Sequence, residues 1–192
     1  GQAPGMRVHR RGRPFDDPSG ARLRDWLGLD EAEFYDRDRV AIVPMAFCFP
    51  GYDARGSDLP PPAECARTWH AQVMQALEDV RLRVIIGGPA QRWHLGARAG
   101  VTETVRAWRD HAPGVFPLPH PSWRNTAWLR RNPWFEAELL PVLREEVRKV
   151  IDGQRNPAGH GACRDAGRAR GLPPGPWPRG SDGRPRPAGR RS

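Results

Sequence analysis

Leu82-Arg-Val-Ile-Ile-Gly-Gly88 is a short β-branched run that ends on two glycines, the pattern of a buried strand turning at once into the next element. Upstream of it, Pro62 to Leu77 carries Ala66, Trp69, Val73, Ala76 and Leu77 at helical spacing. Before that helix, and separated from it by a loop from Gly51 to Pro62, comes the continuous apolar run Val40 to Phe47 (VAIVPMAF). Such a run is expected of a strand buried on both faces, with Pro44 forcing a bulge or an early end. Strand, helix, strand is a βαβ rhythm, and it predicts a parallel sheet.

The same reading extends in both directions. Upstream, Asp17 is placed to cap a helix that begins at Pro18, carries Leu23, Trp26 and Leu27 on one face and stops at Gly28. Downstream, Pro89 to Leu95 begins a short helix, and Thr102 to Arg109 reads as another with Thr102 as its cap. Val115 to His120 is a last short strand, and Asn125 is placed to cap a helix over Thr126 to Arg130. The helix from Pro133 to Ile151, with Trp134, Leu139, Leu140, Leu143 and Val147 on its apolar side, closes the domain. The expected fold is α/β, a three-layer α/β/α sandwich with a short, mostly parallel central sheet and its function at the carboxyl ends of the strands. In such a sheet Gly1 is expected to follow a strand lying upstream of it.

Composition divides the chain. Of its net charge of +9, the stretch from Gly153 to Ser192 carries nine Arg against two Asp, leaving residues 1 to 152 nearly neutral. With nine Gly and seven Pro in those last residues, that stretch has too little apolar surface to offset its chain entropy. It is read as a disordered basic tail, either a passive extension or an arm for a polyanion. No apolar run is long enough to span a membrane and no charged-then-apolar leader precedes the domain, so a monomeric cytoplasmic protein is expected. Cys48, Cys65 and Cys163 are an odd set without paired spacing, unlike a secreted disulfide scaffold.

Two turns carry the chemistry. Gly1-Gln-Ala-Pro-Gly5 is a Gly/Pro turn whose amides could nest an anion or simply link a strand to a helix, and His120-Pro-Ser-Trp-Arg-Asn125 follows the last strand. With Gly12 to Gly20 (GRPFDDPSG) between them, the chain resembles the uracil-DNA glycosylase superfamily: GQAPG its first motif, GRPFDDPSG its stacking segment and Leu118 to Asn125 (LPHPSWRN) its second motif. The branches with iron-sulfur clusters are nearest in style, and the likeness spans about residues 1 to 151 in the same order.

The resemblance implies hydrolysis of the N-glycosidic bond of uracil, or of a related deaminated base, after the base is flipped out of DNA. On that reading Gly1, Ala3, Pro4 and Gly5 line the base pocket and Gln2 aligns water without deprotonating it. Phe15 stacks on the base or is an ordinary core ring. Asp17 is the general base or only a helix cap. His120 donates to the leaving base's carbonyl, for which a neutral imidazole suffices, or is a structural turn histidine. Ser122 bonds a phosphate, while Trp123 and Arg124 enter and touch the duplex or Trp123 packs beneath the next helix; Asn125 joins them in facing DNA. Pro44 falls where uracil-specific relatives hold an Asn that reads the base edge, so the choice of base is open. The chain alone implies no cofactor; Cys48 and Cys65 join an iron-sulfur cluster only with two further cysteines from upstream. A catalytically weak relative that binds nucleic acid is the alternative, and a small-ligand α/β enzyme a more distant one.

Overall fold

The computed structural model describes residues 1–77 and 79–155. The expected basic tail falls, from residue 156 onward, outside the described residues, as does Cys163. In chain order the elements are α1 (Met6–Arg11), α2 (Pro18–Leu27), α3 (Glu31–Phe34), α4 (Ala63–Ala76), β1 (Arg83–Ile86), α5 (Gly88–Leu95), α6 (Val101–Arg106), β2 (Val115–Leu118), α7 (Thr126–Arg131) and α8 (Leu140–Arg155).

The two strands pair in parallel, with Arg83 opposite Val115 and Ile86 opposite Leu118. Successive side chains of a strand point to opposite faces, and here they enter different apolar clusters. Ile86, Phe116 and Leu118 join the larger one with α2, α6 and α8, whereas Ile85 packs with Met45, Ala66 of α4 and Ala90 of α5.

The larger cluster is built mainly by α2 against α8 and the π-helical turn Phe135–Leu139 that precedes it. Asp17 caps α2 through a bond from the Gly20 amide at 3.1 Å, and Gly28 ends it in the left-handed conformation. That register turns Leu23, Trp26 and Leu27 inward onto Phe135, Leu139 and Leu143, all nearly or fully buried. Each such side chain contributes about 1.5–3 kcal/mol by leaving water. Arg148 adds a two-pronged ion pair to Glu33, 2.7 Å on each arm, and Glu33 completes a capping box with Asp30 at the start of α3.

Four expectations are corrected. Val40 to Phe47 is extended but forms no strand, so the sheet among the described residues has two strands and the three-layer sandwich is not shown. The reason is local: Pro44 has no N–H for a ladder, and the backbone around it is taken up by Gly1 and Gln2 and by a bond from the His70 ring nitrogen to the Pro44 carbonyl at 2.9 Å. On α4 the buried face is Ala66 and His70, while Trp69 is half exposed to solvent at 50%. Thr102 lies inside α6, whose cap is Gly100, and its hydroxyl accepts from the Trp128 indole at 2.8 Å. The closing helix runs on to Arg155, past its expected end at Ile151, and α1 was not anticipated.

One glycine fixes the loop before α2. A β-carbon on Gly20 would collide with the Phe15 carbonyl, so the chain can close over itself there only with hydrogen at that position. Gly20→Ala should therefore cost about 1–3 kcal/mol of stability by overpacking, read as a lowered urea or thermal midpoint. An unchanged midpoint would show that this close approach does not hold the loop.

Candidate functional site

The site begins where the two strands end. The Leu118 carbonyl accepts two bonds at 2.9 Å, from the Gly87 amide and from Nε2 of the fully buried Gln91. Gly87 takes φ +81°, and a β-carbon there would lie 2.5 Å from Nε2 of Gln2. The Gln2 side chain thus rests on the turn after β1. Its backbone is strapped to the Val43–Ala46 segment: the Gly1 nitrogen donates to Val43 at 3.1 Å, while the Gly1 and Gln2 carbonyls accept from Met45 and Ala46 at 3.0 and 3.1 Å. Ala3 and Pro4 continue the turn half-buried, and Gly5 is the N-cap of α1.

Phe15 approaches this turn from the other side. Its ring stands edge-on to Phe34 at 6.2 Å and reaches to 3.6 Å from the β-carbon position of Gly1. It holds φ +55°, which favours glycine and costs roughly 1–2 kcal/mol for a side chain of this size. The ring touches both the core and the turn, so the two readings of Phe15 are not exclusive.

Two residues beyond Leu118, His120 is braced by its own carbonyl, which accepts from Nδ2 of Asn125 at 2.7 Å. Asn125 has no cap bond to α7; it closes the His-Pro-Ser turn instead. Burial pushes the His120 imidazole below its ordinary pKa of 6.5. The Asp17 and Asp58 carboxylates oppose that shift, so both groups lie within electrostatic reach of the ring. The imidazole is therefore neutral at pH 7 and has one N–H to donate.

Asp17 does act as a cap: its Oδ1 accepts from the Ser19 hydroxyl at 2.5 Å and from the Gly20 amide at 3.1 Å. Ser122 likewise accepts from the Arg124 amide at 3.2 Å through its hydroxyl oxygen, which leaves the hydroxyl proton free. Its carbonyl is held by Arg22 of α2 at 2.9 Å, tying the turn to that helix. Trp123 is 73% exposed, with the Arg124 guanidinium 6.0 Å from its ring, and does not pack beneath α7.

The structure thus sets Phe15 beside Gly1, Gln2 against the Gly87 turn, and His120 two residues beyond Leu118 within electrostatic reach of Asp17, and leaves Trp123 and Arg124 exposed. Sequence reading missed Gln91, His70 and Asp58. The first two are polar positions on helices whose roles come from carbonyls 27 and 26 residues away, and neither spacing nor composition signals that. A cavity of about 430 Å³ beside β1 has Val40, Ile42, Leu82, Val84 and Ile151 in its walls, together with Gly1 and Phe15, but neither His120 nor Asp17. Charged residues such as Arg37, Asp38, Asp79 and Arg81 stand among its apolar walls, and it shares Gly1 and Phe15 with the candidate site.

Cys48 is exposed, Cys65 is half-buried, and no three His, Cys, Asp or Glu side chains among the described residues gather to hold a metal. Two thiolates do not supply the four ligands of an iron-sulfur cluster, so these residues do not fit one by themselves.

Two parallel strands, one turning at Gly87 against Gln2 and the other leading to His120, define an α/β protein, and in such folds ligands bind beyond the carboxyl ends of the strands. Residues 1–144 match the family model of the uracil DNA glycosylase superfamily, and the chain belongs to that superfamily. The match contains all three motifs.

The His120 ring should titrate below 6.5 by proton NMR, and Asp17→Asn should lower its midpoint further by removing a charge that favours imidazolium. Because the unfolded chain takes up the proton first, His120, and His94 with a pKa lowered in the same sense, make stability fall as pH drops through about 6.5. A His120 midpoint at or above 6.5 would contradict the half-buried placement of the ring.

Proposed function

We propose that this protein is a DNA glycosylase that hydrolyses the N-glycosidic bond of uracil or a related deaminated base, as the first step of base-excision repair. Superfamily membership supports a glycosylase-type hydrolase acting on DNA. What supports the finer reading is the Phe15 ring beside Gly1 and the neutral His120 imidazole two residues beyond the end of β2. An extruded base stacks on Phe15 and lies against Gly1, Ala3, Pro4 and Gly5. As the C1′–N bond breaks, its electron pair leaves with the base, and the His120 N–H stabilises the charge that collects on the base's carbonyl oxygen. Water adds to C1′ of the sugar and gives up a proton to a carboxylate, with Gln2 aligning it. The second oxygen of Asp17, which makes no hydrogen bond among the described residues, leaves that residue a candidate for the proton alongside its cap.

Trp123 and Arg124 project where a duplex meets the site, the free Ser122 proton suits a phosphate oxygen, and Asn125 keeps the turn in shape. The apolar clusters on either side of β1 and β2 support a layered α/β/α arrangement for the whole. No helix among the described residues is long and apolar enough to cross a membrane. Two residues favour the second reading, a weak or inactive member that still binds nucleic acid: Gln2 cannot remove a proton, and Pro44 offers no donor to a base edge.

An oligonucleotide carrying a single uracil decides between them. The protein should convert it to an abasic site, and His120→Ala should slow that conversion by about 10²- to 10³-fold, the usual cost of one lost oxyanion donor. Release of no base from uracil, hypoxanthine or xanthine substrates would end the hydrolase reading. Salt-dependent binding without release would then establish the second.

A further inference from the structure

The Gly51–Pro62 loop is ordered by its own backbone. Asp53 Oδ1 accepts from the amides of Arg55 and Ser57, both at 2.8 Å, and the Asp53 amide donates to the Ser57 carbonyl at 2.8 Å. Tyr52 and Asp58 face each other as an antiparallel bridge, and the Leu59 amide closes on the Gly51 carbonyl at 2.9 Å. Tyr52 also packs on Phe49 with ring centres 4.8 Å apart, and the Phe49 amide donates to the His9 ring on α1. The loop is thereby fixed against the helix that follows GQAPG.

This frame brings Asp58 over the site. Its Oδ2 lies 3.9 Å from where a β-carbon on Gly5 would stand, close to the end of the GQAPG turn. No hydrogen bond or ion pair holds its carboxylate among the described residues, whereas one oxygen of Asp17 is committed to its cap. Asp17 and Asp58 are the two carboxylates within electrostatic reach of the His120 ring. An unpaired carboxylate also repels phosphates, so a surface serving only to bind DNA gains nothing from one at this position.

From this geometry we infer that Asp58 is the carboxylate that orients and deprotonates the attacking water. The inference rests on the hydrolase reading above. Water's oxygen bonds to C1′ as the bond from C1′ to the base nitrogen breaks; the base keeps that electron pair, and the water proton passes to Asp58. Gln2, on the same turn, fixes the water's other side, and Asp17 serves chiefly to cap α2.

Single-turnover assays on the uracil oligonucleotide test this with Asp58→Asn and Asp17→Asn. Asp58→Asn should slow base release by about 10²- to 10³-fold. Its DNA affinity should be equal or tighter and its melting midpoint unchanged, because the side chain is exposed and bonded to nothing. Asp17→Asn should mainly lower the melting midpoint. A wild-type protein that releases base while Asp58→Asn releases it within about threefold as fast, well short of the usual general-base effect, overturns the assignment and leaves the hydrolase reading standing. A wild-type protein that releases none overturns both. In Asp58→Asn the His120 midpoint should fall, and an unmoved midpoint refutes the placement independently of activity.

Discussion

The Leu118 carbonyl has two lone pairs, and both are used: one by Gly87 at the end of β1 and one by the buried amide of Gln91 on α5. That double acceptor locks the ends of two parallel strands together and joins the helix leaving one to the turn leaving the other. Gln2 reaches the site because Gly87 carries no side chain, and His120 is delivered two residues beyond the same carbonyl. An apolar residue in place of Gln91 would leave a carbonyl lone pair unmet in a dry interior, a loss of about 1–3 kcal/mol felt first at the site.

Around that anchor the charges are arranged with restraint. A half-buried imidazole within electrostatic reach of two carboxylates is drawn both ways, and here burial prevails, so the ring stays uncharged. Phe15 adds a backbone that is unfavourable for its residue type and is retained by the Gly20 contact. Such conformations persist where the surroundings determine them, and this one places the ring across from Gly1.

What the sequence made legible was what local chemistry decides. Asp17, Pro18 and Gly28 bracket α2 as their types require, the β-branched run forms β1, and the chain order of three short motifs indicated the superfamily. What it hid depends on partners distant in the chain. Val40 to Phe47 is as apolar as a strand, but its backbone groups were claimed by Gly1, Gln2 and His70 rather than by a ladder. His70 rather than Trp69 turns inward on α4 because the Pro44 carbonyl offers the imidazole a bond, while the indole meets no hydrogen-bond partner among the described residues. Asn125 looked like a cap because it precedes a helix, yet its amide turns back to His120. Asp58 sat unremarked in a loop, since only folding brings residue 58 to Gly5.

The hollow beside β1 leaves that flank of the sheet wet, with Arg37, Asp38, Asp79 and Arg81 standing among its apolar walls. Apolar side chains already hydrated in the folded chain change little in hydration when it opens, so Val40, Ile42 and Val84 add less to the heat capacity of unfolding than the dry cluster between α2 and α8 does.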